Sequence, residues 1–149
     1  MSKHNIAKGT SLIEVLISVL ILGIGLLGVV AMQATALRNS QGSYERSVAI
    51  VQAYSMLDAM RANRNEALIG RYDLNWTCNP PIAGDLIASD LNQWITRLKS
   101  QVSQSACGRI ECGINSCEVE VRWDQSRSTG GTDGAEDDDI QRVTASTRL

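Results

Sequence analysis

The sequence predicts an α+β chain in which a long N-terminal helix is laid against a small antiparallel sheet, with one short second helix between them in the chain. Three observations carry that expectation. Residues 15–32 form a run of 18 without a charge, in which only Ser18 is polar. Beyond Arg38 apolar residues return at helical spacing, and past residue 107 the period drops to two.

The first element is the apolar run. A helix of that length spans roughly 27 Å, close to the ~30 Å apolar core of a bilayer. Its apolar residues cover every face, where a helix of a water-soluble domain would keep one face polar. Lys3, Lys8 and the α-amine precede it, which by the positive-inside rule places the N-terminal side in the cytoplasm and everything after Ala36 outside. Ala34-Thr35-Ala36 imitates a signal-peptidase site, but the run is longer than the ~7–15 residues of a signal h-region. Gly23, Gly25 and Gly28 weaken the helix by up to about 1 kcal/mol each relative to Ala, and their spacing is not GxxxG.

Glu14 breaks the apolar pattern at its edge. A carboxylate near a bilayer centre costs about 2.5–3.5 kcal/mol and less at the boundary, so such a residue calls for a partner. An ordinary anchor or signal peptide has no use for it.

The helix is expected to continue to about Ala67 and to become amphipathic past Arg38. Ile50, Ala53, Leu57 and Met60 recur at i, i+3, i+7 and i+10 and predict one apolar stripe that holds a globular head. Arg46, Asp58, Arg61 and Arg64 lie off that stripe. Residues 71–84 read as a loop, with Pro80-Pro81 blocking regular structure. A second helix starts at Asp85 or Ser89 and buries Ile87, Leu91, Trp94, Ile95, Leu98 and Val102. In residues 118–124 Val119, Val121 and Trp123 share one face and the charges share the other. Val143, Ala145, Thr147 and Leu149 alternate likewise, and residues 107–112 supply a third strand.

Composition excludes several functions. The chain has 14 basic and 16 acidic residues, a formal charge of −2, so no basic surplus points to nucleic acid. Its one histidine is His4, in the N-terminal segment, which leaves His-based catalysis or metal ligation without material in the head. Cys78, Cys107, Cys112 and Cys117 lack a CxxC knuckle, and Glu136-Asp137-Asp138-Asp139 lacks the alternating ligands of a calcium loop, so no metal and no cofactor is expected. No nucleophile elbow or phosphate-binding glycine loop is present, and no enzyme is read here.

Four cysteines beyond a membrane segment favour disulfides in an oxidising compartment. They permit three connectivities. Gly113-Ile114-Asn115-Ser116 suits a hairpin loop that sets Cys112 opposite Cys117, so the preferred pairing is Cys112–Cys117 with Cys78–Cys107. The second bridge would tie the Pro80-Pro81 loop to the start of the sheet.

Lys8-Gly9-Thr10-Ser11-Leu12-Ile13-Glu14 resembles the prepilin cleavage motif shared by type IV pilins and type II secretion pseudopilins. The resemblance implies that a membrane-embedded prepilin peptidase cuts after Gly9 and that the new N-terminus on Thr10 is methylated, although the family usually carries Phe or Met there. It also implies that Glu14, fifth residue of the mature chain, pairs with a neighbouring subunit's N-terminal amine. Met56-Leu57-Asp58-Ala59-Met60-Arg61-Ala62-Asn63-Arg64 is similar to the helix end of the PilV family of type IV pilus modification proteins. Asp90-Leu91 with Trp94 and Leu98, and Val121-Arg122-Trp123, resemble that family's second helix and central strand.

On that resemblance the fold is type IV pilin-like and the chain divides into a leader (residues 1–9), a transmembrane and filament-core helix (10–36), an amphipathic helix of the head (37–68) and a periplasmic globular head (69–149). The implied function is that of a minor pilin that initiates or joins a type IV pilus, supporting adhesion and twitching motility. The implied partners are other pilins and minor pilins, the prepilin peptidase, the inner-membrane assembly platform and membrane lipid before assembly. The implied path runs from a single-pass inner-membrane precursor to the pilus at the cell surface. A minor pseudopilin of a type II secretion system shares the same N-terminus. A membrane-anchored periplasmic binding domain is the alternative of a different class, and it would leave Gly9 and Glu14 without purpose.

Overall fold

A computed structural model describes residues 11–126 and 139–149. The leader with Gly9 and Thr10, and the acidic residues 136–138, lie outside the described residues. The chain divides into two units, Met1–Leu37 and Arg38–Leu149.

Helix α1 covers Leu12–Ala62, 51 residues that cross the division between the units. In the first unit its Leu, Ile and Val residues bury nothing. Leu20 is 62% exposed and Leu27 72% exposed. The helix is long and apolar enough to cross a membrane, and its hydroxyls suit that setting. Ser18 Oγ donates to the Glu14 carbonyl at 2.7 Å and Thr35 Oγ1 to the Ala31 carbonyl at 3.1 Å, so neither needs water.

In the second unit the same helix buries one stripe: Ala49, Gln52, Ala53, Met56, Leu57 and Met60. The expected stripe is shifted by one residue at its start, because Ile50 is exposed and Ala49 takes its place. The reason is steric and polar together. Small Ala49 and Ala53 leave room on that face, and Trp94 Nε1 reaches the Gln52 carbonyl at 3.1 Å. The helix also ends earlier than its composition suggests. Asn63, at φ −119° and ψ 46°, leaves helical geometry and separates α1 from a short helix α2, Arg64–Leu68. Gly70 then turns the chain with φ 78°, a left-handed conformation that a Cβ would disfavour.

Residues 71–84, expected to be a loop throughout, contain strand β1, Leu74–Thr77. Helix α3 spans Leu86–Arg97 and is capped by Asp85, whose carboxylate accepts from Ala88 N–H at 2.9 Å. A π-helical turn, Leu98–Val102, extends it. Ile87, Leu91, Trp94, Ile95, Leu98 and Val102 are all buried, as the periodicity predicts. Strands β2 (Cys107–Cys112), β3 (Ser116–Asp124) and β4 (Ile140–Arg148) complete a four-stranded antiparallel sheet in the order β1-β2-β3-β4.

The inner face of the sheet joins the helices in one core that contains Val119, Val121, Trp123, Val143 and Ala145 from the sheet with Met56, Leu57 and Met60 from α1. Gly108 is required there. A Cβ at that position would lie 2.4 Å from the Trp94 ring, so the sheet and α3 approach only over a glycine.

The outer face differs from a simple charged surface. Glu120 is only 6% exposed although it sits among the charges of β3. Arg109 Nη1 bonds one of its oxygens at 2.6 Å and Arg142 Nη1 approaches the other at 3.5 Å. The Arg122 guanidinium lies 4.3 Å from the Trp76 ring centroid and that of Arg142 lies 5.4 Å from it. Two cations from neighbouring strands thus cover the carboxylate, and the aromatic ring lies against one of them, which the alternating pattern alone cannot reveal.

Candidate functional site

The candidate site has two parts, one in each unit. The first is the start of α1. Ser11 C=O accepts from Glu14 N–H at 3.0 Å and from Val15 N–H at 3.3 Å, which places Glu14 in the opening turn of the helix. There the unpaired backbone N–H groups and the helix dipole favour a carboxylate. Among the described residues no cation pairs with Glu14. Below it the helix presents apolar side chains on every face, and Gly23, Gly25 and Gly28 have open space around the position a Cβ would take. Within this chain, therefore, nothing dictates those glycines.

The second part is the join between the end of α1 and the sheet. Each polar residue of the stretch 60–64 has a structural task. Met60 is fully buried, with its sulfur 3.9 Å from Cys112 Sγ. Arg61 bonds Asp58 Oδ1 through one nitrogen and Thr147 Oγ1 of β4 through the other, both at 2.5 Å. Asn63 Nδ2 donates to the Tyr72 hydroxyl at 3.3 Å, and Arg64 Nη2 donates to the Leu149 carbonyl at 2.9 Å. The segment is thus a clamp that holds the last strand to the last turn of the helix.

Tyr72 continues the clamp. It is fully buried, and its hydroxyl donates to Asp90 Oδ2 at 2.9 Å. Burial raises its pKa above the ordinary value, with the Asp90 carboxylate acting in the same direction. Arg71 bridges Glu66 of α2 at 2.8 Å and Asp85, the cap of α3, at 2.6 Å. The Ala88 N–H first, and Arg71 after it, hold the Asp85 carboxyl below its usual range. On the sheet, Glu120 holds the Arg109 guanidinium above its ordinary value. These groups position elements, and none of them converges on an enclosed cavity.

The cysteines form two disulfides, Cys78–Cys107 with Cα atoms 4.1 Å apart and Cys112–Cys117 with Cα atoms 4.0 Å apart. Cys112 and Cys117 face each other across β2 and β3. The Gly113 N–H bonds the Ser116 carbonyl at 2.7 Å one step nearer the turn, which makes the cysteine pair the narrow, non-hydrogen-bonded kind whose side chains lie closest. The Cys112 N–H, left over by that geometry, is taken by Asp73 Oδ1 at 2.8 Å. Sequence reasoning missed Asp73 and Tyr72, because both sit in a stretch read as loop. The polar cap on Cys112 and the buried phenol carry no periodic signal.

No group of His, Cys, Asp and Glu among the described residues is arranged to hold a metal ion. Scans of the chain against models of protein families, against curated proteins and against solved structures find no significant match.

Proposed function

We propose that the chain is a minor type IV pilin, made as a single-pass inner-membrane precursor with a cytoplasmic N-terminus and a periplasmic head. Prepilin peptidase removes residues 1–9, and the helix then packs with other pilins into the filament, where it supports adhesion and twitching motility. The observation that carries this reading is the pairing of two features on one helix: a carboxylate in its first turn, five residues past Gly9, and an apolar surface beyond it that buries nothing within its own unit.

The physics supports the pairing. Cleavage would place an α-ammonium on Thr10 at the membrane edge. In a bundle of such helices the Glu14 carboxylate of one subunit and the ammonium of its neighbour neutralise one another, where either alone would be expensive in an apolar surrounding. An ion pair of this kind fixes axial register more than it adds net stability. The clamp at residues 60–64 and the two disulfides then keep the head on the helix that carries it.

Glu14→Val tests the reading. The variant is expected to insert in the membrane at least as well as the natural chain, since a charge leaves the lipid, and to be depleted from sheared pili. Incorporation at the natural level would remove the register role. Recovery of the natural chain with secretion-system pseudopilins, and its absence from pili, would instead place it in a type II secretion pseudopilus.

A further inference from the structure

Among the described residues no strand pairs with the far side of the last strand, and its backbone shows which groups face outward. The register between β3 and β4 is unbroken from Ser116 opposite Arg148 to Asp124 opposite Ile140. Beyond each end the ladder is closed by one bond, Leu149 N–H to the Asn115 carbonyl at 3.2 Å and Gln125 N–H to the Asp139 carbonyl at 2.9 Å. In an antiparallel ladder the bonded pairs alternate with unbonded ones. Both closing bonds fall on odd-numbered residues, so Gln141, Val143, Ala145 and Thr147 bond to β3. Ile140, Arg142, Thr144, Ser146 and Arg148 turn their N–H and C=O groups away from it.

The β2–β3 ladder agrees independently. There the Gly113–Ser116 bond puts the even positions of β3 against β2, which leaves its odd positions for β4. Burial follows the same parity: Val143 and Ala145 are buried, while Arg142, Thr144, Ser146 and Arg148 are exposed. Among the described residues no further strand lies beyond β4 in the sheet order.

This edge lacks several of the features that usually blunt one. It runs for nine residues without proline, bulge or inward-pointing charge. Its charges have one sign. Ile140–Arg148 contains Arg142 and Arg148 and no carboxylate, and Arg61 and Arg64 lie at its far end on Thr147 and Leu149. Arg142 meets Glu120 only at 3.5 Å, and Arg148 enters none of the ion pairs among the described residues. On the side of β3 the cations are balanced by Glu118 and Glu120, which face Ser146 and Thr144. Among the described residues no ion pair is made on the open side.

We infer that β4 is a strand-addition site for an extended, carboxylate-bearing segment of another protein, which adds as a further strand and sets its acidic side chains beside Arg142 and Arg148. Main-chain bonds to the outward groups of residues 140, 142, 144, 146 and 148 would supply affinity, and the arginines would supply choice. A second copy of β4 is a poorer occupant, because edge-to-edge pairing brings four arginines and no carboxylate to one seam.

The test uses the full chain in detergent micelles with its disulfides intact. The probe is a synthetic peptide of alternating Glu and Val, and the control replaces each Glu with Lys. Amide hydrogen exchange should slow at least several-fold at Arg142, Thr144, Ser146 and Arg148 with the acidic peptide, leaving Val143 and Ala145 as they were. Thr144→Pro removes an outward N–H that β3 does not use, so it should abolish the protection while the disulfides still form. Arg142→Glu with Arg148→Glu should reverse the preference toward the Lys peptide, and this variant tests the site even if the proline variant fails to fold. Equal protection by both peptides, protection at odd positions instead, or concentration-dependent protection of these amides without any peptide would overturn the assignment.

Discussion

Both halves of α1 carry large aliphatic residues, and these behave oppositely in the two. Leu20 in the first unit is 62% exposed, whereas Leu57 in the second is fully buried. Both lie in one continuous helix, so local propensity does not distinguish them. What differs is the pattern. The second half alternates apolar and polar residues at helical spacing and finds a sheet to cover its stripe. The first half is apolar around its whole circumference, and no single head could cover that. An all-round apolar helix asks for lipid or for other helices, and its end near Glu14 asks for a cation. The packing of the head and the exposed apolar surface of the N-terminal helix thus rest on separate sets of residues.

The largest expected effect that sharpens this contrast is in the core. Trp123 is 1% exposed and its indole N–H reaches Glu45 Oε2 at 3.2 Å. Trp123→Ala should lower the stability of the head by about 3–5 kcal/mol. Leu20→Ala should leave the unfolding of the head unchanged. Chemical denaturation in detergent, followed by tryptophan fluorescence from Trp94 and Trp76, measures both. A comparable loss in the two variants would mean that the halves are not independent.

Next come the disulfides, which differ in the length of chain they close. Cys78–Cys107 spans 29 residues and Cys112–Cys117 spans 5. By the chain-entropy model their removal costs about 3.5 and about 2 kcal/mol respectively. Paired Cys→Ala variants, compared by denaturation midpoint, should show the first as the more harmful. The reverse order would point to strain or packing instead of loop closure, with Met60 beside Cys112 as the contact to examine.

The pH dependence should be smaller. The Asp85 carboxyl is held below its ordinary value of 3.8, so its contribution is present above that pH and fades as pH falls through its lower folded-state pKa. Tyr72 works at the other end. Its pKa is raised above 10.0, so its contribution is fully present below pH 10 and is lost as the pH rises through the folded-state value. Thermal melts of the natural chain and Tyr72→Phe between pH 9 and 11 should converge as the pH rises. Parallel curves would remove the burial of the phenol as the cause.

Much of this architecture is readable from periodicity, and the exceptions have physical reasons. The buried face of α3 and the alternation of β3 are visible because each repeats over several residues with the period of its element. β1 is not visible. Leu74-Asn75-Trp76-Thr77 is short, half polar and close to two prolines, and it becomes a strand through pairing with β2 and the Cys78–Cys107 tether. The place of Ile50 is lost to Ala49 because a large indole must reach the helix backbone at Gln52. Glu120 looks exposed in sequence and is buried because Arg109 and Arg142, from two other strands, close over it. Glu14 is the opposite case. Its anomaly is plain in the sequence, and its place in the first turn agrees with the helix dipole. The cation it calls for belongs, on the reading proposed above, to another subunit.

The central claim is that the helix of the first unit becomes a filament helix only after the leader is removed, and the mass of the chain tests it most directly. Intact-mass analysis of protein from membranes of cells with prepilin peptidase should show loss of Met1 through Gly9, leaving Thr10 as the first residue. The 14 basic residues of the full chain then fall to 12 against 16 acidic, and the formal charge moves from −2 to −4. Gly9→Val should keep the full-length mass while remaining in the membrane, because a side chain crowds the cut site. A chain that still begins at Met1, or one that begins near Thr35 to Leu37, would contradict the account.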